Sequence, residues 1–282
     1  MQKKVSFLLL ALPGLTWLSL LLVIPCALIF AYSFMMRGTY GGVIYTFTLQ
    51  NFSLAADPLY LRIIATSFRI SIIATFVALL VGYPAAYAIT RLRRNLQVMV
   101  MILVILPFWS NYLIRMYAWI VLLNQQGIVN TALLKSGLIS EPLQLLYNEG
   151  AVIVGLVHSY LPFVVLTIYS SLQRLNPELA EASRDLGANA AQTFWRVTLP
   201  LTLPGVASGG VFVFVLSVGN FLTPNLLGGG QVRMIGNVIY DQFTVARDWP
   251  FGSALAMLLI FIMLALLFAQ AILANRGARQ AS

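Results

Sequence analysis

Charge, cysteine, histidine and lysine are all scarce in this 282-residue chain. Only 9% of its residues are charged, against roughly 25% in an average soluble domain. The single cysteine, Cys26, excludes an internal disulfide, a thiolate metal cluster and a redox pair. It lies inside an apolar run and reads as packing. One histidine, His158, and eight acidic residues without a cluster leave no triad, acid–base pair or metal site. No catalytic residue and no metal ligand is therefore expected. The lysines are Lys3, Lys4 and Lys135, and none follows a glycine. A phosphate-cradling loop needs that pairing, so a P-loop ATPase is excluded.

What the chain has in abundance is apolar surface: 60% of its residues are hydrophobic. That balance indicates a polytopic membrane protein. The formal charge of +9 is spread over 17 basic residues scattered between long apolar runs. They form no stripe with interleaved aromatics, so membrane lipid headgroups are the expected partner and nucleic acid is not. Lys3 and Lys4 followed by apolar residues resemble a secretory leader, but the run over 5–34 is far longer than the roughly 7 to 15 residues of a leader core. It reads as a retained first span.

A membrane-spanning helix needs about 20 mostly apolar residues. Six such windows occur, at 7–34, 63–90, 98–123, 151–172, 203–227 and 251–274. The expected fold is all-α, a single transmembrane domain over 1–282. With the N-terminus inside, Lys3, Lys4, Arg91, Arg93, Arg94, Arg174, Arg184, Arg196, Arg276 and Arg279 are cytoplasmic. Arg37, Arg62, Lys135, Arg233 and Arg247 are then outside. Ten against five supports an N-in, C-in arrangement. Arg69 is a further charge at membrane depth, and no partner for it is legible.

The loop at 175–200 then faces the cytoplasm. Asn176 can cap a helix, Pro177 suits its first position, and Glu178 and Glu181 fall where the helix dipole favours carboxylates. Leu179, Ala182, Ser183 and Leu186 share one face, and Gly187 is placed to end the helix in a left-handed conformation. Asn189 and Gln192 match a capping box for a second helix carrying Phe194, Trp195 and Val197, until Leu199 and Pro200 turn the chain back to the membrane. Ala182 and Gly187 leave room for another protein to approach, while Glu181, Arg184 and Asp185 supply charges to fix its register. An interfacial helix pair that merely connects two spans fits the same residues.

Glu181, Ala182, Ser183 and Gly187, followed after nine residues by Val197, Thr198, Leu199 and Pro200, resemble the motif E-A-A-x3-G-x9-I-x-L-P of ABC importer permeases. Ser183 replaces the usual Ala and Val197 the usual Ile. The stretches VGYPAAYAIT at 81–90, LPFWSNYLIRMYAW at 106–119, PLQLLYNEGAVIVGLVHSYLPF at 142–163, NFLTPNLLGGG at 220–230 and IYDQFTVARDWPFGSALA at 239–256 are similar to the spermidine/putrescine branch of these permeases. The resemblance implies a type I importer permease of the bacterial inner membrane. Glu181, Ala182, Ser183, Arg184, Asp185 and Gly187 would lie on the helix that docks into an ATPase subunit. It also implies an ATPase dimer, a second permease of similar fold and a periplasmic solute-binding protein. No cofactor is then expected in this chain, with ATP and Mg2+ on the partner ATPase. Asn220 stands where the polyamine branch carries Asp or Glu, and a neutral amide attracts a polycation less. The implied solute is a polyamine or a related amine, opine or amino-acid derivative.

Polar residues at membrane depth are the candidates for a small-molecule path, because such groups are costly unless they face a cavity or one another. Asn111 and Arg115, with Trp109 and Tyr112 beside them, fall towards the outer half of the third span. Asn220 lies about 22 Å above Gly205 at 1.5 Å per residue, beyond the midplane of a core about 30 Å thick. Thr223, Pro224 and Asn225 follow, so the fifth helix is expected to break there. His158 lies near the outer end of the fourth span. Competing readings are a snorkelling Arg115, a core His158 and an Asn220 that bonds between helices. Small residues over 205–210 read as close helix packing, against this chain or a second permease. Pro84, Pro107 and Pro162 are expected to kink their spans. Asp241 and Asp248 belong to the outer loop before the sixth span. An ion-gradient carrier or channel is the rival function. Six spans are few for a carrier, no inverted repeat is visible and intramembrane acids for a coupling ion are missing.

Overall fold

A computed structural model describes residues 2–280. The side chains of Lys3, Lys4, Arg276 and Arg279, used in the charge count above, lie outside the described residues. The chain forms two compact units, one of residues 1–62 and 238–270 and one of residues 63–237 and 271–282.

The first unit opens with α1 (Gln2–Ser33), whose stretch Leu12–Ser33 is uncharged and mostly apolar and has no buried residue in its spanning window. Cys26 is exposed on this helix. The packing reading for it is therefore corrected: its run is apolar because it faces outward, not because it is covered. Next comes a short antiparallel hairpin, β1 (Met35–Arg37) with β2 (Val43–Phe47), which the all-α expectation missed. Gly41 and Gly42, at φ 95° and 82°, make its turn. Helix α2 (Gln50–Ala55) follows, and α3 (Pro58–Thr90) begins in this unit. The unit closes with the end of α12 (Ile235–Thr244) and with α13 (Trp249–Gln280) as far as residue 270. Phe34 stacks on Phe47 at 5.7 Å, and Tyr60 meets Phe251 edge-on at 5.0 Å. Arg37 donates to the Ala246 carbonyl at 2.8 Å and pairs with Asp248 at 3.7 Å. These basic and acidic groups were both assigned to the outer side.

The second unit holds most of α3, then α4 (Arg94–Ile105), a 3₁₀ turn at Leu106–Trp109, α5 (Tyr112–Leu123), α6 (Ile128–Lys135) and α7 (Glu149–Gln173). It continues with α8 (Pro177–Asp185), α9 (Ala190–Thr193), a π turn at Phe194–Thr198, α10 (Leu199–Val218) and α11 (Leu222–Leu227). Two apolar clusters support it. One gathers Ile70, Ala74, Met116, Val152, Leu156 and Leu227; the other gathers Ala78, Ala86, Met101, Val164, Ile168 and Val213. The i, i+4 run Ile70, Ala74 and Ala78 gives α3 a single face that serves both.

Five helices are long and apolar enough to cross a membrane, and a bent pair makes up to six. The pair is the third span, which is not the continuous helix expected over 98–123. Arg94–Trp109 and Tyr112–Lys135 meet at 93°. Pro107 supplies no N–H to continue α4. Asn111 sits at φ −60°, ψ 136° and caps α5 by accepting from the Leu113 amide at 2.8 Å.

The small residues of α10 pack within this chain. A side chain on Gly205 would strike Ser171, and one on Gly209 would strike Thr167, both on α7. Such i, i+4 glycines let two backbones approach closely where lipid supplies no hydrophobic drive.

Candidate functional site

The loop at 175–200 folds as its local chemistry requires. Asn176 accepts from the Glu178 amide at 3.1 Å and Pro177 opens α8. The helix ends in a full left-handed cap: Gly187 has φ 85°, its amide donates to Arg184 at 2.8 Å, and the Ala188 amide donates to Ser183 at 3.1 Å. Asn189 and Gln192 form the expected capping box, with both bonds at 2.9 Å.

The second helix of the loop departs from expectation. It is not a separate surface helix that turns back at Pro200. Ala190–Val218 is one span of 29 residues, about 43 Å long at 1.5 Å per residue. The π turn makes this continuity possible, because its i to i+5 bond from the Leu199 amide to the Phe194 carbonyl widens the helix just before Pro200. The ring, which would clash with the carbonyl four residues back in a tight α-turn, is thereby accommodated.

Two contacts fix this rod. Phe194 packs edge-on against Tyr83 and Tyr87 of α3, each at 5.6 Å. Ser183 of α8 lies 3.1 Å from Thr193 at the rod's start, hydroxyl to hydroxyl. Ser183 is thus the side of α8 that faces its own chain, while Leu179 and Leu186 are 47% and 90% exposed. The four-residue face Leu179, Ala182, Ser183 and Leu186 is therefore split: Ser183 turns inward, and the other three form an exposed apolar ridge.

The upper end of the rod meets the polar residues of the third and fourth spans. Helix α10 stops at Val218 and α11 begins at Leu222, so the expected break at Asn220 is present. The Asn220 side-chain nitrogen donates to the hydroxyls of Tyr160 at 2.7 Å and Tyr112 at 2.9 Å. Its oxygen accepts from the Thr223 amide at 2.9 Å. Tyr160 donates to the Leu216 carbonyl at 3.2 Å, and Thr223 lies 2.5 Å from Tyr112, hydroxyl to hydroxyl. One amide thus ties α5, α7 and α11 together at the place where the helix is broken.

Arg115 does not reach out to water. Its Nη1 donates to the carbonyls of Pro107 and Ser110, both at 2.8 Å, and its guanidinium lies over the rings of Phe108 at 4.9 Å and Tyr112 at 5.5 Å. A side chain from the next helix thus bridges two carbonyls at the bend, adding to the Ser110 amide and hydroxyl that already donate to Pro107. Asn111 serves as the α5 cap, His158 meets Trp119 edge-on at 5.6 Å, and Trp109 stands 86% exposed on the 3₁₀ turn. The structure thus joins Asn220, Thr223 and Arg115 through Tyr112, and leaves Trp109 and His158 apart from those bonds.

Sequence reasoning missed Tyr160 and a second polar knot. Gln97 donates to the carbonyls of Thr90 and Leu92 and accepts from Tyr169 at 2.9 Å and Gln173 at 3.0 Å. It also left Arg69 unassigned; this guanidinium pairs with Glu149 at the start of α7. A tyrosine or glutamine in an apolar run needs a partner, and that need was the available signal. Among the described residues no three His, Cys, Asp or Glu side chains converge.

Comparison with known proteins places this architecture. The family described as "Binding-protein-dependent transport system inner membrane component" matches residues 78–278. The chain is 42% identical to the spermidine/putrescine transport system permease protein PotB of Haemophilus influenzae, over 90% of this chain and 88% of that protein. It is 40% identical to PotB of Escherichia coli K12, over 88% of this chain and 90% of that protein. A bacterial ABC transporter that imports the acidic polysaccharide alginate contains a chain of the same fold, with TM-score 0.80 at 18% identity over 98% of this chain and 96% of that one. With its apolar spans, broken helices and helix–cap–rod unit, this chain belongs to the family of binding-protein-dependent transport system inner membrane components, as a multi-pass, non-enzymatic permease subunit of an ABC importer.

Proposed function

We propose that this permease carries a polyamine, or a closely related amine, opine or amino-acid derivative, across the inner membrane. The observation that carries the coupling half of this reading is the exposed ridge Leu179, Ala182 and Leu186, joined through α8 and the Ser183–Thr193 contact to an unbroken rod. An apolar ridge of that size on a cytoplasmic knob suits a hydrophobic cleft on an ATPase subunit. Asp185 lies beside the ridge and sets register, Glu181 and Arg184 carry charge on the far side of α8, and Gly187 fixes the direction in which α8 leaves the rod. ATP and Mg2+ belong to that partner, as a dimer, and a second permease of similar fold completes the membrane part. A periplasmic solute-binding protein delivers the solute at the outer face.

At the other end of the rod, Asn220, Thr223 and the Tyr112 and Tyr160 hydroxyls are the polar groups nearest the helix break, with Asn111, Arg115, Trp109 and His158 on the neighbouring elements. A displacement of α8 is carried along the rod to this break, and the tyrosine bonds there exchange as the spans open. The polyamine assignment is supported by the two relatives of 40% and 42% identity whose names carry that transport.

Reconstitution tests the reading. The permease pair, ATPase and binding protein in proteoliposomes should accumulate labelled putrescine or spermidine only with ATP. Uptake that persists without the ATPase, driven by an ion gradient, would overturn it.

A further inference from the structure

Helix α8 presents two opposed faces. At 3.6 residues per turn, Pro177, Ala180, Glu181 and Arg184 lie on the side opposite Leu179, Ala182 and Leu186. The first set, with Leu179 at its edge, lines a cleft of ≈ 510 Å³, bounded on its other walls by the ends of α3 and α7 and the start of α10. Residues outside the helix that line it include Tyr87, Thr90, Arg91, Asn176 and Thr198. The cleft thus lies behind Ala182 and Leu186, reaches round to Leu179, and sits at the end of α3.

Its charge is unbalanced. Arg91 donates to the Tyr87 hydroxyl and lies 4.9 Å over the same ring, so its guanidinium is held in place and not free to sweep through solvent. Among the described residues neither Arg91 nor Arg184 is within ion-pair distance of a carboxylate. Glu181 is the one acidic residue in the lining. Two arginines in the lining of one recess, with Thr90, Asn176 and Thr198 among its polar groups and Leu172, Leu175 and Leu201 among its apolar ones, supply the forked N–H donors that receive a phosphate oxyanion. Basic recesses at the cytoplasmic ends of spans are also where anionic headgroups are met.

We propose that this cleft binds an anionic phosphate group, presented by a lipid headgroup of the cytoplasmic leaflet or by a dissolved phosphate, between Arg91 and Arg184. A phosphate seated there touches α3, α8 and the foot of the rod together. It therefore braces the knob from the membrane side while an ATPase grips the opposite face. The placement rests on the cytoplasmic orientation of α8; the test below reads binding and does not depend on transport.

The assembled transporter is placed in nanodiscs of phosphatidylcholine with or without phosphatidylglycerol, and retained lipid is counted by native mass spectrometry. In a second arm inorganic phosphate is titrated into the phosphatidylcholine sample and followed by the broadening of its 31P resonance. Retention of phosphatidylglycerol assigns the site to a headgroup, and broadening assigns it to dissolved phosphate. In either arm the double variant Arg91→Gln, Arg184→Gln should weaken binding about tenfold or more per guanidinium, the weight of a hydrogen bond to a charged group. The charge-keeping pair Arg91→Lys, Arg184→Lys should bind between the parent and the glutamine variant, because it keeps the charge and loses the fork, and it controls for folding. No response in either arm, or a response that the glutamine variant leaves unchanged, overturns the proposal.

Discussion

The side-chain nitrogen of Asn220 lies 2.7 Å from the Tyr160 hydroxyl and donates to it, which leaves that hydroxyl free to donate onward to the Leu216 carbonyl. This polarity depends on an amide. A carboxylate at 220 can only accept, so both tyrosines would have to turn their protons towards it and Leu216 would lose its donor. The neutral residue at this position, where a carboxylate is expected in the polyamine branch, is therefore built into the packing of the break.

Replacing Asn220 separates these roles. Asn220→Leu removes both tyrosine bonds and should destabilise the purified permease by about 0.6 to 1.7 kcal/mol per bond, the range for hydrogen bonds between membrane helices. Asn220→Asp should preserve the fold and raise the preference for dicationic over monocationic solutes in competition uptake. An unchanged preference would take residue 220 out of the solute path.

Arg115 should hold the bend of the third span. In Arg115→Met the Ser110 carbonyl loses its Arg115 donor, at a cost of about 1 to 3 kcal/mol, while the Pro107 carbonyl keeps those of the Ser110 amide and hydroxyl. Spin labels at the exposed positions Val98 and Val121 should report one narrow distance in the parent and a broad distribution in the variant. A narrow distribution in both would mean that Pro107 and the Asn111 cap suffice.

How much of this was legible beforehand follows from the range of each interaction. The caps at Asn176, Gly187 and Asn189 act within a few residues, so sequence spacing alone located them. The break at Asn220 was visible in the Thr223–Pro224–Asn225 run. The bend at Pro107 was expected only as a kink, because the staple that fixes it comes from Arg115, eight residues on. Arg69 and Glu149 are 80 residues apart and Tyr160 and Asn220 are 60, beyond any local rule. The unbroken rod was missed because Pro200 reads as a breaker, and only the π turn beneath it removes the clash. The hairpin at Met35–Phe47 was overlooked although its Gly41–Gly42 turn is a local signal.

Within this chain Gly187 is required for its backbone. A side chain there would meet nothing within 4 Å, yet φ is 85°. Gly187→Val should cost roughly 1 to 2 kcal/mol for the left-handed conformation and tilt α8, lowering uptake per ATP hydrolysed while membrane insertion is normal. Asn tolerates this region, so Gly187→Asn should couple nearly as well as the parent. Equal coupling in both variants would remove the cap from the mechanism.

Gly209 presents the opposite case. Its conformation is ordinary, but Thr167 of α7 leaves no space for a side chain. Gly209→Leu should force α10 from α7 at a cost of about 1 to 3 kcal/mol, read as a lower unfolding temperature in detergent. Restoring stability with Thr167→Ala in the same chain would locate the strain at this contact.

The docking of α8 is tested most directly by a cysteine at Ala182 in a Cys26→Ser background, which removes the chain's single native thiol. A short bifunctional crosslinker should join residue 182 to the ATPase subunit in membranes, with a yield that changes between nucleotide-free and ATP-bound states. Modification of that cysteine by an impermeant reagent added from the periplasmic side, with no ATPase captured, would contradict the account.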